Sequence, residues 1–194
     1  VDEHAARLFA ELRALGLDER TLIVITADHG EVMARHHACH SSYFQRICHF
    51  SHGLTLYDEE LHVPLAFVLP GVVTAAHRVT AVTSLLGVAP TVPDLLGLPK
   101  NPRHVGRSLV PELSGGAGHD EPIYAEGRAA AALRDRGLKY ITHHAKDDAW
   151  TAARTGNSDA RPLVQLFDLK RDPTETRNLA LQNDPRVAEM AQAL

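Results

Sequence analysis

Histidine is concentrated in one window of this chain. Of 13 histidines in 194 residues, seven fall between positions 29 and 62: His29, His36, His37, His40, His49, His52 and His62. Imidazole is the commonest metal ligand and exchanges its proton near neutral pH, so a cluster this dense points to metal or acid–base chemistry. Asp28 directly precedes His29. A carboxylate beside an imidazole offers hard oxygen and borderline nitrogen to a divalent cation. The same residues have a second reading, in which Asp28 caps a helix and Glu31, three residues on, completes a capping box. Further along, Cys39-His40 and Cys48-His49 sit nine residues apart. A structural zinc site is conceivable there, but no paired CxxC or HxxxH spacing supports it, and a solvated loop with spare imidazoles is the alternative. There is no Gly-x-Ser-x-Gly elbow and no phosphate-binding GxxxxGK[ST]. Ser41 and Ser42 lie between histidines with nothing marking either as a nucleophile, and His143-His144 read as the solvated end of a strand.

The elements that must position these residues follow from periodicity. Leu8, Phe9, Leu12 and Leu15 share one face of an opening helix, and Gly16 stands where a left-handed residue ends it. The run from Thr21 to Ala27 is β-branched and apolar without alternation, which predicts a strand of a parallel sheet buried on both faces. Helix, short turn and buried strand form half of a βαβ repeat. Asp28-His29-Gly30-Glu31 follows that strand, and open α/β sheets place their chemistry beyond the carboxyl ends of strands. Residues 32–52 lack periodicity and read as a long loop, of the kind that carries function. Leu61 to Leu69 predicts a second strand, ended by Pro70-Gly71. Thr91 caps a short helix covering Leu95, Leu96 and Leu98 in this reading. Residues 99–121 form a Pro/Gly/Ser-rich linker. Beyond it, Ile123–Glu126, Lys139–Thr142 and Val164–Leu169 predict a small antiparallel sheet with one wet face. Asp184 and Pro185 open a terminal helix carrying Val187, Met190, Ala191 and Leu194 on one face.

Composition narrows the function. Apolar residues make up 44% of the chain and charged residues 23%, enough for a packed core. Twenty Lys plus Arg against 24 Asp plus Glu give a formal charge of −4, which leaves no electrostatic footprint for nucleic acid. The longest apolar stretch, Val63 to Ala76, is broken by Pro64, Pro70 and Gly71, so no segment reads as a membrane span. Two cysteines exclude a disulfide-dense scaffold but do not identify the compartment.

Several of these segments together resemble the C-terminal portion of sulfatases of the alkaline phosphatase superfamily. The stretch from Ala14 to Glu31 is similar to the helix, turn and strand leading into that family's D-[HN]-G metal motif. His36 lies eight residues after Asp28, as in its DHGExxxxH pattern. Ser51 to Leu65 resembles the H/K-G-x-x-x-Y-[DE]-E…R-V-P segment, although His62 stands where the family usually has Arg. Ala89-Pro90-Thr91 with Asp94 to Pro99, Gly106 to Leu109, and Leu166 to Ala180 complete the series in order.

The resemblance implies an α/β fold: the C-terminal part of an alkaline-phosphatase-like α/β/α sheet over residues 1–115, then a small antiparallel subdomain with a terminal helix over 116–194. It implies a metal-dependent sulfuric ester hydrolase, with a phosphonate monoester or phosphodiester hydrolase and a non-catalytic sulfatase-like fragment as alternatives. Asp28 and His29 match metal ligands, for calcium first and manganese or zinc otherwise. His52 matches the position where relatives place Lys or His beside the transferred group. The family's nucleophile is a formylglycine made from Cys in C-x-[PA]-x-R, or a Ser or Thr. Cys39 is followed by His-Ser-Ser-Tyr and Cys48 by His-Phe-Ser-His, so neither fits. The paired aspartates that complete the metal site also have no counterpart. The expected partners are therefore a small sulfate, phosphate or phosphonate ester, the N-terminal half of the same protein, and further copies through self-association. The chain alone is expected to be inactive.

Overall fold

The computed structural model describes residues 2–33, 37, 52–53, 55–73, 76–119, 121–127, 130–143 and 163–194. In chain order its elements are α1 (Asp2–Ala14), β1 (Ile23–Thr26), α2 (Asp58–Leu61), β2 (Leu65–Val68), α3 (Val88–Leu95), α4 (Val110–Leu113), β3 (Ile123–Glu126), β4 (Ala130–Asp135), β5 (Leu138–His143), β6 (Val164–Asp168) and α5 (Arg186–Ala193). The architecture is α/β. The chain divides into two compact units, Val1–Thr26 with Pro64–Asp120, and Ala27–Val63 with Glu121–Leu194. Among the described residues no helix is long and apolar enough to cross a membrane.

In the first unit, α1 ends as its sequence predicts. Gly16 adopts φ +64°, its N–H reaches Arg13 O at 3.0 Å, and Leu17 N–H reaches Leu12 O at 2.9 Å. This paired closure satisfies the last free carbonyls of the helix. Strands β1 and β2 pair antiparallel, from Ile23 opposite Val68 to Thr26 opposite Leu65. This corrects the parallel pairing expected for β1. An apolar, β-branched run marks a strand but does not set the direction of its neighbour, which the ladder of hydrogen bonds to β2 decides here. Nor is β1 buried on both faces, since Ile25 is exposed. Thr91 is likewise not a cap: it lies within α3, fully buried, donating its hydroxyl to Gly87 O at 2.6 Å and accepting from Leu109 N–H at 2.7 Å.

The second unit is built on a four-stranded antiparallel meander, β3-β4-β5-β6. The β4–β5 hairpin turns on Arg136-Gly137, both at positive φ (48° and 82°), the backbone that matches the twist of a two-residue hairpin. The sheet buries both faces, not one. Ala130, Ala132, Ile141 and Phe167 pack under Leu56 and Tyr57 on one side. Leu133, Tyr140 and Leu166 pack against Met190 of α5 on the other, with Leu179 and Val187 beside it. Each large side chain so buried contributes roughly 1.5–3 kcal/mol. One of these two covered faces is the floor on which Leu56 and Tyr57 are fixed. In the terminal helix, Pro185 takes the cap position and the Asp184 carboxylate accepts Arg186 N–H at 3.0 Å.

Candidate active site

The chain leaves β1 at Thr26 and reaches Asp28-His29-Gly30-Glu31 immediately. His29 N–H donates to Asp28 Oδ1 at 3.0 Å. The His29 ring faces Gly30 O through Nδ1 at 2.8 Å. A carbonyl only accepts, so Nδ1 carries the proton and Nε2 keeps its lone pair. That Nε2 stands 3.7 Å from Asp28 Oδ2. The hydrogen bond to Gly30, aided by the charges of Asp28, Glu31 and Glu60, raises the affinity of His29 for a second proton against a smaller opposing effect of burial.

His52 meets this turn from a different part of the chain. Its Nδ1 lies 2.7 Å from Glu31 Oε1, and its ring stacks on His29 with centroids 3.8 Å apart and planes 25° from parallel. His29, Glu31 and His52 each offer a ligand atom, all within 4.8 Å of one another. The structure thus gathers the sequence-predicted residues Asp28, His29 and His52, and adds Glu31, which the sequence offered only as a helix-cap partner. His36, Cys39, His40, Ser41, Ser42, Cys48, His49 and His144 lie outside the described residues, and with them the zinc reading of the loop. His143 ends β5 as expected, 3.4 Å from Gln165 Oε1. His62 lines a hollow with Asp58, Glu59, Arg134, Leu169 and Pro173.

The support beneath the site comes from Tyr57 to Glu60. Gly30 N–H donates to Glu60 O at 2.8 Å. The buried Glu60 carboxylate accepts Gly53 N–H at 2.5 Å, Thr55 N–H at 3.0 Å and the Thr55 hydroxyl. Glu59 accepts Met33 N–H at 3.0 Å and lies 2.5 Å from His37 Nδ1. His37 is buried and stacks on Tyr57 with ring centroids 3.8 Å apart, and Gln165 donates to the Tyr57 hydroxyl at 2.8 Å. Asp58 receives Lys139 Nζ at 2.8 Å and Arg134 Nη1 at 2.8 Å, while its N–H donates to Glu175 Oε2 at 2.6 Å. Lys139 Nζ also stands 2.9 Å from Glu175 Oε1. Burial works to raise the Asp58 carboxyl, but Lys139 and Arg134 together hold it below its ordinary range. For Glu175 burial wins over Lys139, and its carboxyl is pushed up. In the sequence Glu59 closes the Y-[DE]-E segment and Glu60 directly follows it, which does not say what they hold.

Asp28 and His29 are donors of the kind a divalent cation takes, and the ligand atoms that lie within 4.8 Å of one another are those of His29, Glu31 and His52. Asp28 offers carboxylate oxygen, and His29 Nε2 is freed for ligation by the commitment of Nδ1 to Gly30. A family model described as Sulfatase matches residues 1–98. The chain belongs to the sulfatase family. It is 28% identical over 193 residues to Arylsulfatase K of Bos taurus, covering 92% of this chain and 31% of that protein. It spans about a third of the length of the curated relatives it matches, corresponding to their C-terminal part. Among solved structures it is similar to a phosphonate monoester hydrolase from Silicibacter pomeroyi, with TM-score 0.67, 28% identity, and coverage of 100% of this chain and 37% of that one. It is also similar to a 2-O GAG sulfatase, with TM-score 0.64, 26% identity, and coverage of 94% and 36%. Sulfatase-family homologues are hydrolases, and the fold expected from the sequence is the fold of these neighbours.

Proposed function

We propose that this sulfatase segment carries the metal-ligand pair and one proton-handling residue of a sulfuric ester hydrolase whose nucleophile is supplied from outside these 194 residues. The observation that carries the reading is the convergence of Asp28, His29, Glu31 and His52 on one spot. In this reading residues 1–115 belong to the catalytic α/β domain and 116–194 to a smaller C-terminal subdomain.

Asp28 and His29 Nε2 would hold the cation. A bound divalent cation neutralises sulfate oxygens and favours the ionised form of a nucleophile. Calcium is the first choice for the whole site, with manganese or zinc favoured by any contribution from a second imidazole. His52 handles the proton. An ionised Glu31 can only accept, so it fixes the His52 proton on Nδ1 and leaves Nε2 as the exchanging nitrogen. With Nε2 also protonated, His52 can deliver the Nε2 proton to the departing alkoxide or phenoxide oxygen as its bond to sulfur breaks, and keeps the Nδ1 proton. Such a step is typically worth on the order of 10²–10⁴ in rate. Stacking on His29 holds the ring in place.

The phosphonate monoester hydrolase reading stands second, favoured by the 28% identity to the Silicibacter pomeroyi enzyme. The test is a panel of 4-nitrophenyl sulfate, a phosphate diester and a phosphonate monoester, with calcium or manganese. It is run on the 194-residue chain and on a protein joining this segment to a nucleophile-bearing one. The expected result is no turnover by the chain alone, since no C-x-[PA]-x-R lies in it, and sulfate turnover by the joined protein that falls with His52→Ala. Preference for the phosphonate ester would select the second reading. Metal-dependent turnover by the chain alone, lost in His52→Ala, would overturn the assignment of the nucleophile.

A further inference from the structure

The residues that meet in the site arrive on two separate parts of the chain, residues 28–31 and the part that holds His52, Gly53 and Thr55, and one residue is bonded to both. Glu60 accepts from the first stretch through its main-chain oxygen, at 2.8 Å from Gly30 N. It accepts from the second through its carboxylate, at 2.5 Å from Gly53 N and 3.0 Å from Thr55 N, with the Thr55 hydroxyl as a third donor. Gly30 adjoins His29 and Gly53 adjoins His52, so one contact on each part of the chain lies a single residue from a ring of the stacked pair. We propose that Glu60 is the positioning residue of this site, setting the separation of His29 and His52 by clamping both stretches at once.

Three features support this beyond the hydrogen bonds themselves. Glu60 is only 3% exposed, and a carboxylate taken out of water persists there only if its oxygens are met by donors. Those donors belong to the site's own loop, so its desolvation is compensated only while Gly53 and Thr55 keep their places. Charge-assisted bonds to backbone N–H are short and directional, which suits a rigid link. The approach at Gly30 is also close: a Cβ there would stand 2.1 Å from Glu59 O, so the 28–31 turn seats directly on the Glu59–Glu60 backbone. Glu60 reaches both stretches through hydrogen bonds, and its charge adds to the raised proton affinity of His29. Glu59, its neighbour in α2, is tied instead to Met33 and His37, and serves as the internal comparison.

The inference rests on the reading of His29 and His52 as site residues, but its primary readout needs neither metal nor turnover. In the 194-residue chain, ring–ring nuclear Overhauser contacts between His29 and His52 are compared with those between Tyr57 and Phe167, whose centroids lie 5.9 Å apart. Glu60→Gln keeps the shape but turns an amide NH₂ toward one of the N–H donors. The expected result is loss of the His29–His52 contacts with the Tyr57–Phe167 contacts retained, whereas Glu59→Gln keeps both. If Glu60→Gln fails to fold, Thr55→Val decides, since it removes one donor to the same carboxylate and keeps the branched side chain. It is expected to weaken the His29–His52 contacts selectively. Persistence of those contacts in folded Glu60→Gln, or in Thr55→Val where that variant decides, would overturn the proposal. A second arm titrates Mn²⁺, for which Glu60→Gln is expected to lower affinity about tenfold. Failure of the wild-type chain to bind Mn²⁺ would count against the metal reading, and the ring contacts would still decide the role of Glu60.

Discussion

Glu31 Oε1 and His52 Nδ1 stand 2.7 Å apart although 21 residues separate them in the chain. A carboxylate bound to one nitrogen of an imidazole determines which nitrogen is left to exchange a proton. In wild type, ¹⁵N shifts of the His52 ring should therefore report the Nδ1–H tautomer, and Glu31→Gln should shift the ring toward the Nε2–H form that dominates in free histidine. An unchanged tautomer ratio would mean that the contact does not order the ring.

Gly30 is required by a close approach and not by backbone conformation. Gly30→Ala places a methyl group 2.1 Å from Glu59 O, and relief requires the 28–31 turn to move away. Overpacking of this kind typically costs about 1–3 kcal/mol. Urea unfolding should show a loss in that range, together with loss of the Gly30–Glu60 amide protection in hydrogen exchange. A variant as stable and as protected as wild type would contradict the packing described.

Lys139 is buried with two carboxylates around it, Asp58 at 2.8 Å and Glu175 at 2.9 Å. Lys139→Met fills the space but leaves Glu175 without its cation. Removing one partner of a buried pair costs about 3–5 kcal/mol, and denaturant unfolding at pH 7 should show a loss of that order. A change below about 1 kcal/mol would mean that the pair is compensated elsewhere.

The same network sets an acid limb of stability. The Asp58 carboxyl lies below its ordinary 3.8 in the folded chain, so its contribution is present above that value and is lost as pH falls through the lowered one. Glu175 works in the opposite sense. Its carboxyl is raised above 4.5, so its contribution is complete below that value and is lost as pH rises through the raised one. Asp58→Asn should be less stable than wild type at neutral pH, and the gap should narrow on acidification below pH 3.8. A gap that stays constant from neutral to acid pH would show that the Asp58 charge is not its source.

Part of the candidate site was legible because its residues are local in sequence. Asp28 and His29 are adjacent, and the segment around His52 carries a recognisable pattern, so residue type and spacing sufficed. Glu31 was not legible as a partner of His52, 21 residues away, nor Glu60 as a partner of Gly30, because such roles arise only when distant stretches are folded together. The same limit appears in the fold. Gly16 ended α1 as its sequence predicts. The Ala130–Leu133 run of β4 was missed, since alanine carries no strand signal and its place is decided by the pairing of Ala131 with Thr142 and Ala132 with Ile141. The direction of β1 does not follow from its sequence, because an unbroken apolar run marks a strand and does not set the orientation of the neighbouring one.

The central claim is that Asp28 and His29 hold a divalent cation, and paramagnetic broadening by Mn²⁺ tests it most directly. Increasing Mn²⁺ is added to the ¹⁵N-labelled 194-residue chain while amide signals are followed. Binding should be weak, because two ligands are a small part of the six or so oxygens and nitrogens such ions prefer. The amides of Asp28, His29 and Gly30 should broaden first and together, with no such focus in the Asp28→Ala, His29→Ala double variant. Broadening centred elsewhere, or unchanged in that double variant, would contradict the assignment.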